Sequence, residues 1–131
     1  MISTKGRYAL RVMIDLAEQE SEEFVPLKEV AARQGISKKY LEIIMHALVN
    51  GKLVTSLGGR GGGYRLNRKP EEYSVGEILE VMGEMLATVS CLNKDAEPCP
   101  RAAVCKTLPM WSEFDHMVHD YFYGKTLKDL I

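Results

Sequence analysis

The sequence predicts a mainly α protein carrying one small β-hairpin, and three observations predict it. Apolar residues recur at helical spacing in five separate stretches. A tight glycine-containing turn joins two of those stretches, and the second has a polar outer face. A glycine run with a single arginine, Gly58-Gly59-Arg60-Gly61-Gly62-Gly63, lies between two short extended segments and reads as a hairpin tip. A helix-turn-helix followed by such a hairpin is a winged helix-turn-helix. A further long helix then follows it.

Residues 7–19 read as the first helix, with apolar positions 9, 10, 13, 14, 16 and 17 covering a face wide enough for burial on two sides. Glu20, Glu22 and Glu23 mark a turn, and Pro26 opens a second helix at 27–34. Gly35 ends that helix, as a residue tolerant of positive φ should, and Ser37 caps the next. That third helix, 38–50, turns Leu41, Ile44, Met45 and Leu48 inward and leaves Lys38, Lys39, Glu42 and His46 outward. Strands at 53–56 and 64–66 flank the glycine run. A phosphate-cradling nucleotide loop is excluded there, because no Lys-Ser/Thr pair and no immediate helix follow the glycines. Pro70 separates this half from the rest. Ser74 caps a helix over 75–84 with Val75, Ile78, Leu79 and Met82 on one face. A loop over 87–104 precedes a long helix over 105–123, in which Leu108, Trp111, Phe114, Val118 and Tyr121 follow helical spacing. Pro109 is tolerated in its first turn. Thr126 to Ile131 form a short amphipathic tail.

The chain has 131 residues and is 46% hydrophobic, enough for one core with an added arm. No apolar run approaches the roughly 20 residues of a membrane span. The first residues have no secretory h-region, so the expected compartment is the cytoplasm, where thiols stay reduced. Charge is uneven. Residues 1–69 carry 12 Lys/Arg against 7 Asp/Glu, and residues 70–131 carry 5 against 11. A basic half and an acidic half suit two modules: a phosphate-facing one at 1–69, and a second at 70–131 that stays off the polyanion.

The candidate double-stranded DNA face is the start of the third helix, with Ser37, Lys38, Lys39, Tyr40 and Glu42. Lysines hold phosphates, Ser37 or Tyr40 can hold the backbone, and Glu42 can accept from cytosine N4. Arg60, alone among glycines, suits the narrow and negative minor groove. No nucleophile motif, zinc-protease motif or paired catalytic carboxylates are visible, so the chain reads as no enzyme.

The three cysteines, Cys91, Cys99 and Cys105, have the spacing C-x₇-C-x₅-C. An odd number cannot all close as internal disulfides. The paired C-x-x-C of structural zinc is absent. Pro98 and Pro100 stiffen the loop, and Lys94, Arg101 and Lys106 favour thiolates. Three soft ligands can wrap an iron–sulfur centre. The same residues also fit buried hydrophobes, a redox disulfide with one spare thiol, or zinc. His116 and His119, three apart on the long helix, read as surface or interface residues.

Three segments resemble one family: Met1-Ile2-Ser3-Thr4-Lys5-Gly6-Arg7-Tyr8-Ala9-Leu10, the stretch from Gln34-Gly35-Ile36-Ser37 through Tyr40-Leu41-Glu42, and Gly61-Gly62-Gly63-Tyr64-Arg65-Leu66. Together they are similar to the IscR-type winged-helix regulators, which include iron–sulfur, nitric-oxide, iron-response and cysteine-metabolism regulators. The likeness runs through the cysteine loop to Thr126-Leu127-Lys128-Asp129-Leu130. It implies a homodimer whose long helices cross, with each cysteine loop near the partner's DNA-binding domain. It implies that Cys91, Cys99 and Cys105 ligate a 2Fe–2S or 4Fe–4S cluster, and that Glu42 tunes site choice with cluster state. The chain departs from the family in places. Leu108 stands where the assembly regulator has a ligand histidine, and Tyr8 where the nitric-oxide sensor has an acidic residue. The fourth ligand is therefore open between Asp15 or Glu18 of a partner, a solvent or small-molecule ligand, and none. Gly58 stands where the family often has arginine, with Arg60 two residues later. The expected function is a transcription regulator whose operator affinity depends on the cluster. The alternative is a cluster-free member responding through thiol oxidation or a partner enzyme.

Overall fold

A computed structural model describes residues 2–19 and 22–131. Glu20, expected in the first turn, lies outside them. The order is α1 (Thr4–Glu18), α2 (Leu27–Gln34), α3 (Lys38–Asn50), β1 (Val54–Leu57), β2 (Gly63–Leu66), α4 (Val75–Val81) and α5 (Leu108–Gly124), with short 3-10 turns at Pro70–Glu72, Ser90–Leu92 and Leu127–Leu130. The architecture is a winged helix-turn-helix followed by a long helix, as the periodicity predicts.

The helix-turn-helix forms from strong local signals. Gly35 closes α2 in the left-handed region at φ 63°, and its N–H reaches the Ala31 carbonyl at 2.9 Å. Ser37 then caps α3, its hydroxyl accepting from the Tyr40 N–H at 3.2 Å. Leu41, Ile44, Met45 and Leu48 are buried, as predicted. β1 and β2 pair antiparallel in the register Val54–Leu66, Thr55–Arg65, Ser56–Tyr64 and Leu57–Gly63. Val25 exchanges two backbone bonds with Tyr64 at 2.8 and 2.9 Å, which ties the wing to the segment entering α2.

Three helix boundaries lie three residues from the sequence reading, and the ends of α1 and α5 one residue from it. α1 starts at Thr4 rather than residue 7, because the Ser3 hydroxyl accepts from the Gly6 N–H at 3.1 Å. α4 stops at Val81 rather than 84, because Gly83 takes φ 83°. α5 begins at Leu108 rather than 105, with Pro109 in its first turn and Cys105 left in the loop.

One core crosses position 70. Ala9, Val12, Met13 and Leu16 of α1 meet the inward face of α3, together with Tyr73, Ile78 and Leu127. The Tyr73 hydroxyl donates to the Leu53 carbonyl at 2.8 Å and accepts from the N–H groups of Asn67 and Arg68, both at 3.0 Å. Burial raises the phenol above its ordinary value, and those backbone donors oppose the shift. The C-terminal tail docks on the same residue, with the Leu127 N–H bonded to the Tyr73 carbonyl at 3.0 Å. By contrast, no residue of α5 is buried.

Candidate nucleic-acid interface and cysteine loop

Lys38, Lys39, Glu42 and His46 stand exposed on the outer face of α3, as the periodicity predicts. Ser37 is also exposed, but its oxygen is engaged as the helix cap. Tyr40 is half-buried and packs edge-on against Tyr8 of α1, ring centroids 5.8 Å apart, while the Arg11 guanidinium lies 4.9 Å over the Tyr8 ring. Arg60 is exposed at the wing tip, where Gly59 and Gly61 flank it at φ 80° and 73°. A groove of about 420 Å³ lies between the wing and the starts of α2 and α3, with Lys28 and Lys38 in its wall. Lys28 escaped the sequence reading because only the folded helix-turn-helix and wing bring it into one groove with Lys38.

α1 grips the helix-turn-helix through a polar network that periodicity did not reveal. Asp15 is 2% exposed, within the apolar face of α1. Arg33 clamps it with Nη2–Oδ1 at 2.8 Å and Nε–Oδ2 at 3.0 Å, and Gln34 Nε2 donates to Oδ2 at 2.9 Å. Arg11 donates to the Gln34 side chain at 3.2 Å and to its backbone carbonyl. Asp15, one of the open candidates for a fourth ligand from a partner, has both oxygens bonded within its own chain. Glu18 is exposed one turn later.

The cysteine loop begins where Glu84 accepts from the Ser3 N–H at 2.9 Å and also bonds the Ser3 hydroxyl, so it touches the cap of α1. Leu86 is buried with Val75 and Leu79. Further on, the Thr88 N–H donates to Asp115 Oδ1 on α5 at 3.0 Å. All three cysteines are unpaired, Cys91 exposed and Cys99 and Cys105 partly so. Cys105 Sγ lies 3.5 Å from Thr107 Oγ1. Hydrogen bonds from the Thr107 hydroxyl and backbone, aided by Arg101, hold its thiol below the ordinary range. In donor type the loop suits a soft metal centre: three unpaired thiols, one of them acidified. Among the described residues no three of His, Cys, Asp and Glu converge on one metal position. His119 instead stacks on Tyr123 at 6.0 Å and sits 3.8 Å from Asp115.

α5 carries a second feature. Met110, Phe114, Met117 and Tyr121, spaced 4, 3 and 4 apart, are all exposed, the last two at 61%. Of the residues expected at helical spacing, Leu108, Trp111 and Val118 are half-buried, while Phe114 and Tyr121 are exposed. No helix among the described residues is long and apolar enough to cross a membrane.

A family model described as "Rrf2: Iron-dependent Transcriptional regulator" matches residues 2–131. The protein rrf2 of Nitratidesulfovibrio vulgaris is 38% identical over 130 residues, covering 99% of this chain and 86% of that protein. The solved structure of CymR, the global cysteine regulator of B. subtilis, is similar at TM-score 0.79 and 35% identity, covering 99% of this chain and 95% of the other. T. potens IscR is similar at TM-score 0.76 and 32% identity, covering 99% and 85%. With a winged helix-turn-helix, a basic outer face on α3 and relatives that are transcription regulators rather than enzymes, the chain belongs to the Rrf2 family of DNA-binding transcriptional regulators.

Proposed function

We propose that this regulator works as a homodimer on a near-palindromic duplex, and that Cys91, Cys99 and Cys105 hold an iron–sulfur cluster that sets its operator affinity. The observation that carries the cofactor reading is the set of three unpaired thiols on one loop, one of them acidified. The seam Met110, Phe114, Met117 and Tyr121 supports the second copy, since that repeat is the one two packed helices share. Lys38, Lys39 and Lys28 hold phosphates, Glu42 reads base edges from α3, and Arg60 enters the minor groove.

When bound, a cluster supplies a fixed tie between loop thiolates. The chain's own contacts then carry the state of the loop toward the DNA. Glu84 holds the cap of α1, and α1 holds the helix-turn-helix through Tyr8–Tyr40, Arg11–Gln34 and Asp15–Arg33. A coupling of about 1–3 kcal/mol along this route changes operator occupancy by roughly 5–150-fold. Anaerobic purification with iron and sulfide counts tests the reading. It predicts a brown protein, and loss of iron in each of Cys91→Ala, Cys99→Ala and Cys105→Ala. Colourless protein that cannot be loaded contradicts it.

A second reading is a cluster-free regulator that responds through thiol oxidation or a partner enzyme. The likeness to CymR and the lack of thiol convergence among the described residues favour it. Where the response is a disulfide, it predicts that one cysteine is dispensable.

A further inference from the structure

The two sides of α3 differ sharply in chemistry. Leu41, Ile44, Met45 and Leu48 are fully buried and complete its share of the core. The outward side is polar, with Lys39, Glu42, His46 and Asn50 exposed. Ile43 interrupts that polar side. It is 49% exposed and belongs to neither hydrophobic cluster of the chain. At 3.6 residues per turn it shares one row with Lys39, His46 and Asn50, at i−4, i+3 and i+7. His46 and Asn50 are joined to each other at 3.1 Å, so the apolar side chain stands between a cation and a polar pair. Folding gains little from it, because β-branching lowers helix propensity and about half of the side chain stays in solvent.

We propose that Ile43 is a specificity-determining residue that reads thymine, its side chain seating against a C5-methyl group in the major groove beside the base pair met by Glu42. Thymine is the one base whose major-groove edge presents an apolar group, and an exposed aliphatic side chain on the groove-facing side of α3 is the complement to it. The inference rests on the reading of α3 as the helix that enters the major groove.

The test begins with an operator selected from a random duplex pool by the full chain. Each thymine is then replaced singly by deoxyuridine, which removes the methyl group alone, and Kd is measured for the wild type and for Ile43→Ala. At one thymine in each half-site, the replacement weakens wild-type binding about fourfold, the equivalent of ~0.8 kcal/mol for one buried methylene-sized group. The same replacement leaves Ile43→Ala unchanged, and Ile43→Val falls between. Because Ile43 is 49% exposed, both variants should stay within about 3 °C of the wild-type Tm. If wild type and Ile43→Ala respond alike at every thymine while both bind, the inference is overturned and the DNA-binding reading stands. If the wild type selects no duplex and shows no salt-dependent binding, the reading of α3 fails and this inference fails with it.

Discussion

Replacing Asp15 by asparagine removes one charge at the joint between α1 and the helix-turn-helix and changes almost nothing in size. In the native joint the carboxylate accepts two bonds from Arg33 and one from Gln34, between 2.8 and 3.0 Å. Asparagine keeps one acceptor and turns the other position into a donor that faces a donor. Hydrogen bonds to a charged group contribute about 1.5–3 kcal/mol each, against about 1 for neutral ones, so the local loss is a few kcal/mol. Arg33 is 37% exposed, and water recovers part of that loss for the guanidinium. The expected destabilisation is about 2 kcal/mol, or a fall in Tm of about 8 °C for a chain of this size. Urea titration at fixed protein concentration measures it. Operator affinity should also fall well below the Tm, because the joint sets the orientation of α3. Iron content per chain should stay at the wild-type value, since both carboxylate oxygens are already held by Arg33 and Gln34. Stability within about 0.5 kcal/mol of wild type, together with loss of iron, would refute this reasoning and restore Asp15 as a ligand.

Other positions give sharper single tests. Tyr73→Phe leaves the Leu53 carbonyl and two backbone N–H groups without their partner, and should cost about 2 kcal/mol by urea titration. Because the folded phenol titrates above its ordinary value, its contribution is fully present below pH about 10 and is lost as pH rises through the raised value; the Phe variant lacks that alkaline limb. Met117→Glu places an unpaired carboxylate in the exposed seam of α5, and should weaken self-association by about 100-fold or more in sedimentation while the monomer keeps its helical CD. Thr107→Val removes the main cause of the acidified Cys105 thiol, so the pH midpoint for its alkylation in cluster-free protein should move upward.

Local signals made much of this fold legible in the sequence. Gly35 and Ser37 act within a few residues of themselves, and α2 and α3 have the predicted bounds. Helix ends were harder to read, because they depend on single side chains such as Ser3 and on Gly83 taking a positive φ. The pairing of Asp15 with Arg33 is not legible in the sequence, since Arg33 lies 18 residues away and only folding brings it near. Leu127 read as part of an amphipathic tail, yet it is fully buried against the core that the helix-turn-helix builds. The cysteines were legible as donors by type alone. Their spacing sets no common geometry, and the single chain leaves them apart. Ile43 passed unnoticed because helical periodicity explains buried apolar residues and is silent about an exposed one.

The most direct measurement is operator affinity, taken under strict anaerobiosis on one preparation before and after the iron is chelated away, with iron and sulfide counted in both states. The account predicts iron and sulfide in the first state and a change in Kd of at least fivefold on their removal, with the change absent in Cys99→Ala. Equal Kd in both states, or protein that holds no iron and still binds its operator as tightly, would contradict it.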